Sequence, residues 1–166
     1  MITVRALFAL VLTLSMIAGA PALAHDPVPK VAGHAIDDVQ EEAVEAARVV
    51  DAFHTALEHG DTEGALALLA EDVLIFESGD AERSRDEYAE HHLAADAAFS
   101  AAVPGVRSRR VARADGDSAW VASESRTTGA FNGRPVDSLT VETMVLRREV
   151  DGWRITHIHW SSHAAR

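Results

Sequence analysis

The order of patterns along this 166-residue sequence predicts an α+β fold, with three N-terminal helices packed on a strongly bent, mostly antiparallel sheet. Two observations carry that expectation. Between Val39 and Phe99 apolar side chains recur at intervals of three and four, the period of a helix with one buried face. From Val106 onward they alternate, and Asp115-Gly116, Asn132-Gly133 and Asp151-Gly152 interrupt the alternation with the dipeptides preferred in tight hairpin turns.

The first 24 residues stand outside that pattern. Arg5, the apolar run of residues 6–18 and the small-x-small end Ala22-Leu23-Ala24 have the form of a secretory signal peptide, too short in its apolar core to span a membrane. The expected product is periplasmic or secreted and begins near His25. It comprises a flexible leader (25–37, with Pro27 and Pro29), one domain (38–162) and a short tail (163–166). Loss of Arg5 takes the net charge from −11 to −12, a poor match for nucleic acid or an anionic membrane surface. The chain has no cysteine, so thiol chemistry and disulfides are excluded.

Helix one is expected from Asp38, with Glu41 completing a capping pattern and Val39, Ala43, Ala46, Val50, Phe53 and Leu57 forming its apolar stripe. His54 falls within that stripe. Gly60 ends the helix, Asp61 caps a short second one, and a strand follows over Val73–Glu77. Ser84 and Glu87 form a capping box for helix three, whose inward stripe reads Tyr88, His92, Ala95 and Phe99, with His91 and Asp96 on its shoulders. Pro104-Gly105 closes it.

Strands are then expected over Val106–Ala114, Ala119–Thr128 and Val136–Arg148, and from Gly152 onward. If both later hairpins have two-residue loops, Ala119, Leu146 and His157 share an inward row. So do Val121, Met144 and His159, and then Ser123, Glu142 and Ser161. The opposite face would carry Trp120, Val145, Ile158 and Trp160, an apolar patch with no helix left to cover it. Such a patch is expected to form a homodimer interface. Arg107, Arg109 and Arg110 read as an exposed edge-strand run.

Three helices followed by hairpins ending in Gly152-Trp-Arg-Ile-Thr-His-Ile-His-Trp-Ser161 resemble the nuclear transport factor 2-like superfamily, and within it the SnoaL-like bacterial exported members. The resemblance covers Asp38 to Ser162 and is carried by "VVDAFHTALEHGDTEGALALLAEDV" and "DGWRITHIHWSS". It implies a cone-shaped, cystatin-like α+β half-barrel with a pocket between helices and sheet, commonly dimeric through the outer face. Carried over position by position, that pocket holds His54, Tyr88, His92, Glu142, Met144, His157 and His159, with Glu77 and Asp96 near its rim. The ketosteroid isomerases of the superfamily need a tyrosine on helix one. The only tyrosine here is Tyr88 on helix three, which speaks against steroid isomerisation.

These residues support several readings. Acid–base chemistry of isomerase, cyclase or lyase type on a small ligand would use Glu142 or Glu77 as base with His92, His157 or His159 as partner, drawing on a carboxyl whose pKa an apolar cavity raises. A divalent-metal site would take His92, Glu142, His157 and His159 as ligands, a set suited to zinc or copper. A satisfied core network would pair the histidines with Glu142, Ser123 and Ser161. A non-catalytic dimeric interaction module would act through the tryptophan-bearing face.

Overall fold

The computed structural model describes residues 35–165. The expected signal peptide and most of the leader lie outside these residues. A seven-stranded mixed sheet runs in the order β1-β4-β5-β6-β7-β2-β3, with helices against its inner face. The elements are β1 (Ile36–Val39), a 3-10 turn (Glu41–Ala43), α1 (Val44–Glu58), α2 (Thr62–Ala67), β2 (Leu69–Glu77), β3 (Asp80–Glu82), α3 (Arg85–His91), α4 (Leu93–Ala102), β4 (Gly105–Asp115), β5 (Ser118–Phe131), β6 (Arg134–Glu149) and β7 (Gly152–Ala164). Two pairings are parallel, β1 with β4 and β2 with β7, and the other four are antiparallel.

The expected capping chemistry forms at two helices. The Asp61 carboxylate accepts from Gly64 N–H at 2.9 Å, and Ser84 Oγ accepts from Glu87 N–H at 3.0 Å. At the first helix it does not. Asp38 belongs to β1 (Ile36–Val39), and α1 starts only at Val44. The carboxylates explain the difference: Asp37 bonds Arg110 at 3.1 Å and Asp38 bonds Arg113 at 2.7 Å, which ties the segment to β4. β1 thus covers β4 over Arg109–Ala112, and of the three arginines expected to be exposed only Arg109 is. Arg110 is buried, chelating both Asp51 oxygens at 2.8 Å, and Arg107 reaches the same carboxylate at 3.0 Å.

The third helix breaks at His92, so α3 and α4 differ in phase. Tyr88 is buried as expected, but His92 leaves the core and pairs with the buried Glu82, while Leu93 and Ala97 are the buried positions of α4.

The two later hairpins decide which side chains face inward. Asn132 and Gly133 both have positive φ (51° and 75°), and the two-residue loop sets the expected β5–β6 register, including Ala119 with Leu146 and Ser123 with Glu142. The β6–β7 hairpin differs. Its loop is Val150-Asp151, with Glu149 paired to Gly152, and further along a bulge at Thr156 takes the ladder from Leu146–Ile155 to Val145–His157. One extra residue exchanges the faces of everything beyond it. Trp153 and Ile155 point inward before the bulge, and Ile158 and Trp160 do so after it. His157 and His159 are turned to the outer face. The expected inward rows through the two histidines, and the outward placement of Ile158 and Trp160, are corrected accordingly.

Candidate functional site

A cavity of about 300 Å³ opens between α1, α4 and the inner face of the sheet. α1 contributes Val50, Asp51, His54, Leu57 and Glu58, and α4 contributes Asp96, Phe99 and Ser100, with Val103 just beyond it. The sheet contributes a graded surface. Val121, Glu142 and Trp160 lie at one end and a field of hydroxyls (Ser125, Thr127, Ser138, Thr140, Ser162) at the other. Alternation along β5 and β6 keeps these side chains on one face.

Glu142 is the polar centre of the cavity, only 6% exposed. Its carboxylate accepts three hydrogen bonds: His54 Nε2 at 2.9 Å and Trp160 Nε1 at 2.7 Å, both to Oε2, and Ser123 Oγ at 3.4 Å to Oε1. The Trp160 indole is held in turn by stacking on Phe53, with centroids 6.4 Å apart and planes 20° from parallel. Burial alone would raise the Glu142 pKa, but the His54 charge and the three hydrogen bonds hold it below the ordinary carboxylate value. Burial alone would lower the pKa of His54. The charge and hydrogen bond of Glu142 outweigh it, so the imidazolium persists to higher pH than in a free histidine. The ring remains 37% exposed, and it lines the cavity. His54 is thus a hydrogen-bond donor fixed on a buried carboxylate, and when protonated it can polarise a ligand oxygen or deliver a proton to it.

A second acidic group lies at the rim. Tyr88 O–H donates to Asp96 Oδ2 at 2.9 Å, and Asp96 and Glu77 both line the cavity. Burial holds each carboxyl above its ordinary value, and Asp96 adds to the rise at Glu77. Burial also pushes the Tyr88 hydroxyl well above the usual phenol range.

Of the sequence-predicted site residues, His54, Glu77, Asp96, Ser123 and Glu142 meet around this cavity. Tyr88 reaches it through Asp96. Met144 is core, fully buried between Val121 and Ile158 in the sheet. His92 stands half-exposed on the far side of Asp96, bonded to Glu82, so it does not partner Glu142. His157 donates to the Leu74 carbonyl at 2.7 Å, and both His157 and His159 meet the Phe76 ring edge-on on the outer face. The quartet His92, Glu142, His157 and His159 is therefore not assembled. Among the described residues no three His, Cys, Asp or Glu side chains are placed to hold a metal ion. Sequence reasoning also missed Trp160 as a cavity residue. The spacing of Ile155 and Ile158, three apart in an otherwise alternating strand, was the signal for it.

Residues 46–165 match the family described as the SnoaL-like domain. A Shewanella frigidimarina protein, described as a candidate ketosteroid isomerase, is 41% identical, covering 70% of this chain and 94% of its own, with a TM-score of 0.68. A candidate dehydratase of the NTF2-like family from Streptomyces avermitilis is 24% identical over 75% of this chain and 97% of its own (TM-score 0.65). A Xanthomonas campestris protein, described as a candidate calcium/calmodulin-dependent protein kinase II association domain, is 26% identical over 72% and 86% (TM-score 0.59). No curated protein matches the sequence.

Proposed function

This chain belongs to the SnoaL-like domain family, with the NTF2-like fold, and from that premise we propose that it binds a small, largely apolar ligand carrying an oxygen function and acts on it by acid–base chemistry. The reaction class is isomerase, cyclase or lyase. The observation that carries this reading is the His54–Glu142 pair, a buried carboxylate hydrogen-bonded to a partly exposed imidazole that lines a cavity of about 300 Å³. Its apolar wall, Leu57, Phe99, Val103 and Val121, suits a hydrocarbon body, and the hydroxyl field suits ring or chain oxygens. The name given to the Shewanella relative makes isomerisation the first reaction to test. Because no tyrosine lies on α1, a steroid is not the preferred substrate.

The test is calorimetric titration of cyclic ketones and alcohols into the mature chain and into His54→Ala. A bound oxygen compound should lose about tenfold in affinity in the variant, the worth of a charged hydrogen bond. Equal affinity in both proteins, or no binder in the series, would overturn the reading.

A second reading concerns the outer sheet face. Phe76, Trp120 and Val141 are exposed there, Trp120 by 41% and Val141 by 53%, beside His157 and His159. We propose that a second copy of the chain covers this patch. The relative described as an association domain supports assembly as a use of the fold. Export also stands as a proposal, resting on Arg5, the apolar run and Ala22-Leu23-Ala24.

A further inference from the structure

Strand register orders the hydroxyl end of the cavity. Arg107, Ser125, Thr140 and Ser162 are cross-strand partners in one row over β4, β5, β6 and β7, and Gly105, Thr127 and Ser138 form the next row; all of them line the cavity. At the usual spacings the hydroxyls stand about 5 Å apart across the strands and about 7 Å apart along them, the span of one six-membered ring with its substituents. Gly105 has no side chain, which leaves the β4 corner of the array open. Ser125, Thr127, Ser138 and Thr140 are half-buried, and among the described residues none of the five hydroxyls has a hydrogen-bond partner in the protein.

An irregularity builds the β4 end of this array. Arg107 and Arg110 are three residues apart, so a regular strand would send them to opposite faces. A bulge at Ser108, whose Oγ donates to the Glu124 carbonyl at 3.0 Å, shifts the β4–β5 register between Arg107 and Arg109 and brings both arginines to the cavity. Bulges re-aim side chains in this way beside functional sites. Each guanidinium keeps one donor unused. Arg110 is only 9% exposed, and its Nε is buried without a hydrogen-bond partner. The buried Nε of Arg107 is 3.8 Å from Asp37, beyond hydrogen-bond reach. A buried N–H left unpaired is costly, so an acceptor supplied from the cavity would be stabilising.

Charge decides the kind of acceptor. Arg107 and Arg110 share Asp37 and Asp51, two cations against two anions. The rest of the cavity wall sets Glu58, Glu77, Asp96 and Glu142 against His54 alone. A carboxylate or phosphate therefore meets no net attraction there. A hydroxyl offers one donor and two acceptor sites, and a ligand hydroxyl is the group that uses both. We propose that this end of the cavity is a subsite for a neutral polyhydroxylated ring, so that the ligand is a glycoside in chemical class. Its sugar lies on the hydroxyl array beside Arg107 and Arg110, and its apolar part lies against Leu57, Phe99, Val103 and Val121. The proposal rests on the ligand reading of the cavity.

The probes are phenyl β-D-glucopyranoside, its galactose and mannose counterparts, phenyl β-D-glucuronide and 4-phenoxycyclohexanol, each titrated calorimetrically into the full mature chain. They share a two-ring skeleton and differ in hydroxyls and charge. One of the neutral glycosides should bind about tenfold more tightly than 4-phenoxycyclohexanol, the reverse of the order that apolar burial alone would give. The glucuronide should bind less tightly than the glucoside. Thr140→Val removes a hydroxyl at nearly constant shape, and Arg107→Lys keeps the charge but removes Nε. In each, the ratio of glycoside affinity to 4-phenoxycyclohexanol affinity should fall about fivefold, the worth of one neutral hydrogen bond. A general disturbance of the fold would weaken both compounds together and leave that ratio in place. No glycoside preferred over 4-phenoxycyclohexanol, a glucuronide bound more tightly than the glucoside, or an unmoved ratio in both variants would each overturn the proposal. Binding of 4-phenoxycyclohexanol that weakens in His54→Ala, with no glycoside preferred, removes this proposal alone. Binding of none of the five compounds removes the ligand reading with it.

Discussion

Glu142→Gln keeps the shape of the cavity and removes the charge that holds His54. In the wild-type protein Glu142 contributes stability above the unfolded carboxylate pKa, because its folded value is lowered. His54 has a raised value, so its contribution is full below about pH 6.5 and disappears as pH rises through the folded pKa. The pair is therefore most stabilising between about pH 5 and 6. A charge-assisted hydrogen bond contributes about 1.5–3 kcal/mol. Breaking a fully buried pair costs about 3–5 kcal/mol, but the His54 ring is 37% open to the cavity and solvent screening lowers that figure. About 2 kcal/mol at pH 5.5 follows. At about 3 °C per kcal/mol for a domain of this size, the midpoint should fall by about 6 °C. As the pH rises from 5.5 toward 8.5 the histidine progressively loses its charge, and the difference should shrink. The assay is differential scanning calorimetry of both proteins across this range. A deficit independent of pH, or one that grows toward pH 8.5, would refute the assignment of an ionised pair.

Other outcomes follow from the same structure. Asp51→Asn should cost about 2 kcal/mol in urea unfolding, because Arg110 loses the carboxylate it chelates while Asp37 still neutralises part of its charge; an unchanged midpoint would mean the cluster does not tie α1 to β4. Replacing Val141 or Trp120 by glutamate should leave the melting profile of the cavity variants unaltered and convert a dimer to monomer in sedimentation at micromolar concentration. A wild-type protein that is already monomeric there would dispose of the outer-face reading. N-terminal sequencing of chain recovered from a bacterial periplasm should begin at His25, and recovery of the full-length chain from the cytoplasm alone would exclude export.

The fold and half of the site could be read from sequence for identifiable reasons. Asn132-Gly133 requires positive φ at both positions, which leaves a single loop geometry and fixes every β5–β6 pair from Ala119–Leu146 to Ser123–Glu142. His54 and Glu142 follow from helical and strand periods that nothing interrupts. Thr156 was harder to foresee. A bulge adds no unusual residue type, and His157 and His159 alternate as well as Ile158 and Trp160 do. Only the burial preference of Ile158 over the histidines marks the change of phase. The partition of α3 from α4 at His92 depends on Glu82, and β1 depends on Arg110 and Arg113. These are long-range or cross-element contacts, and they override local capping patterns such as that at Asp38.

The sheet order puts β7 inside the sheet, antiparallel to β6 on one side and parallel to β2 on the other. Until β7 arrives, β2 and β6 each present a bare edge of unpaired amides and carbonyls, open to pairing with any other extended chain. The pairing that closes them joins segments some eighty residues apart, as in Leu74 with His157. Contacts of that separation are made late and slow the search for the native state. A nascent chain cannot complete this sheet until β7 has been made, so until then β2 and β6 keep open edges.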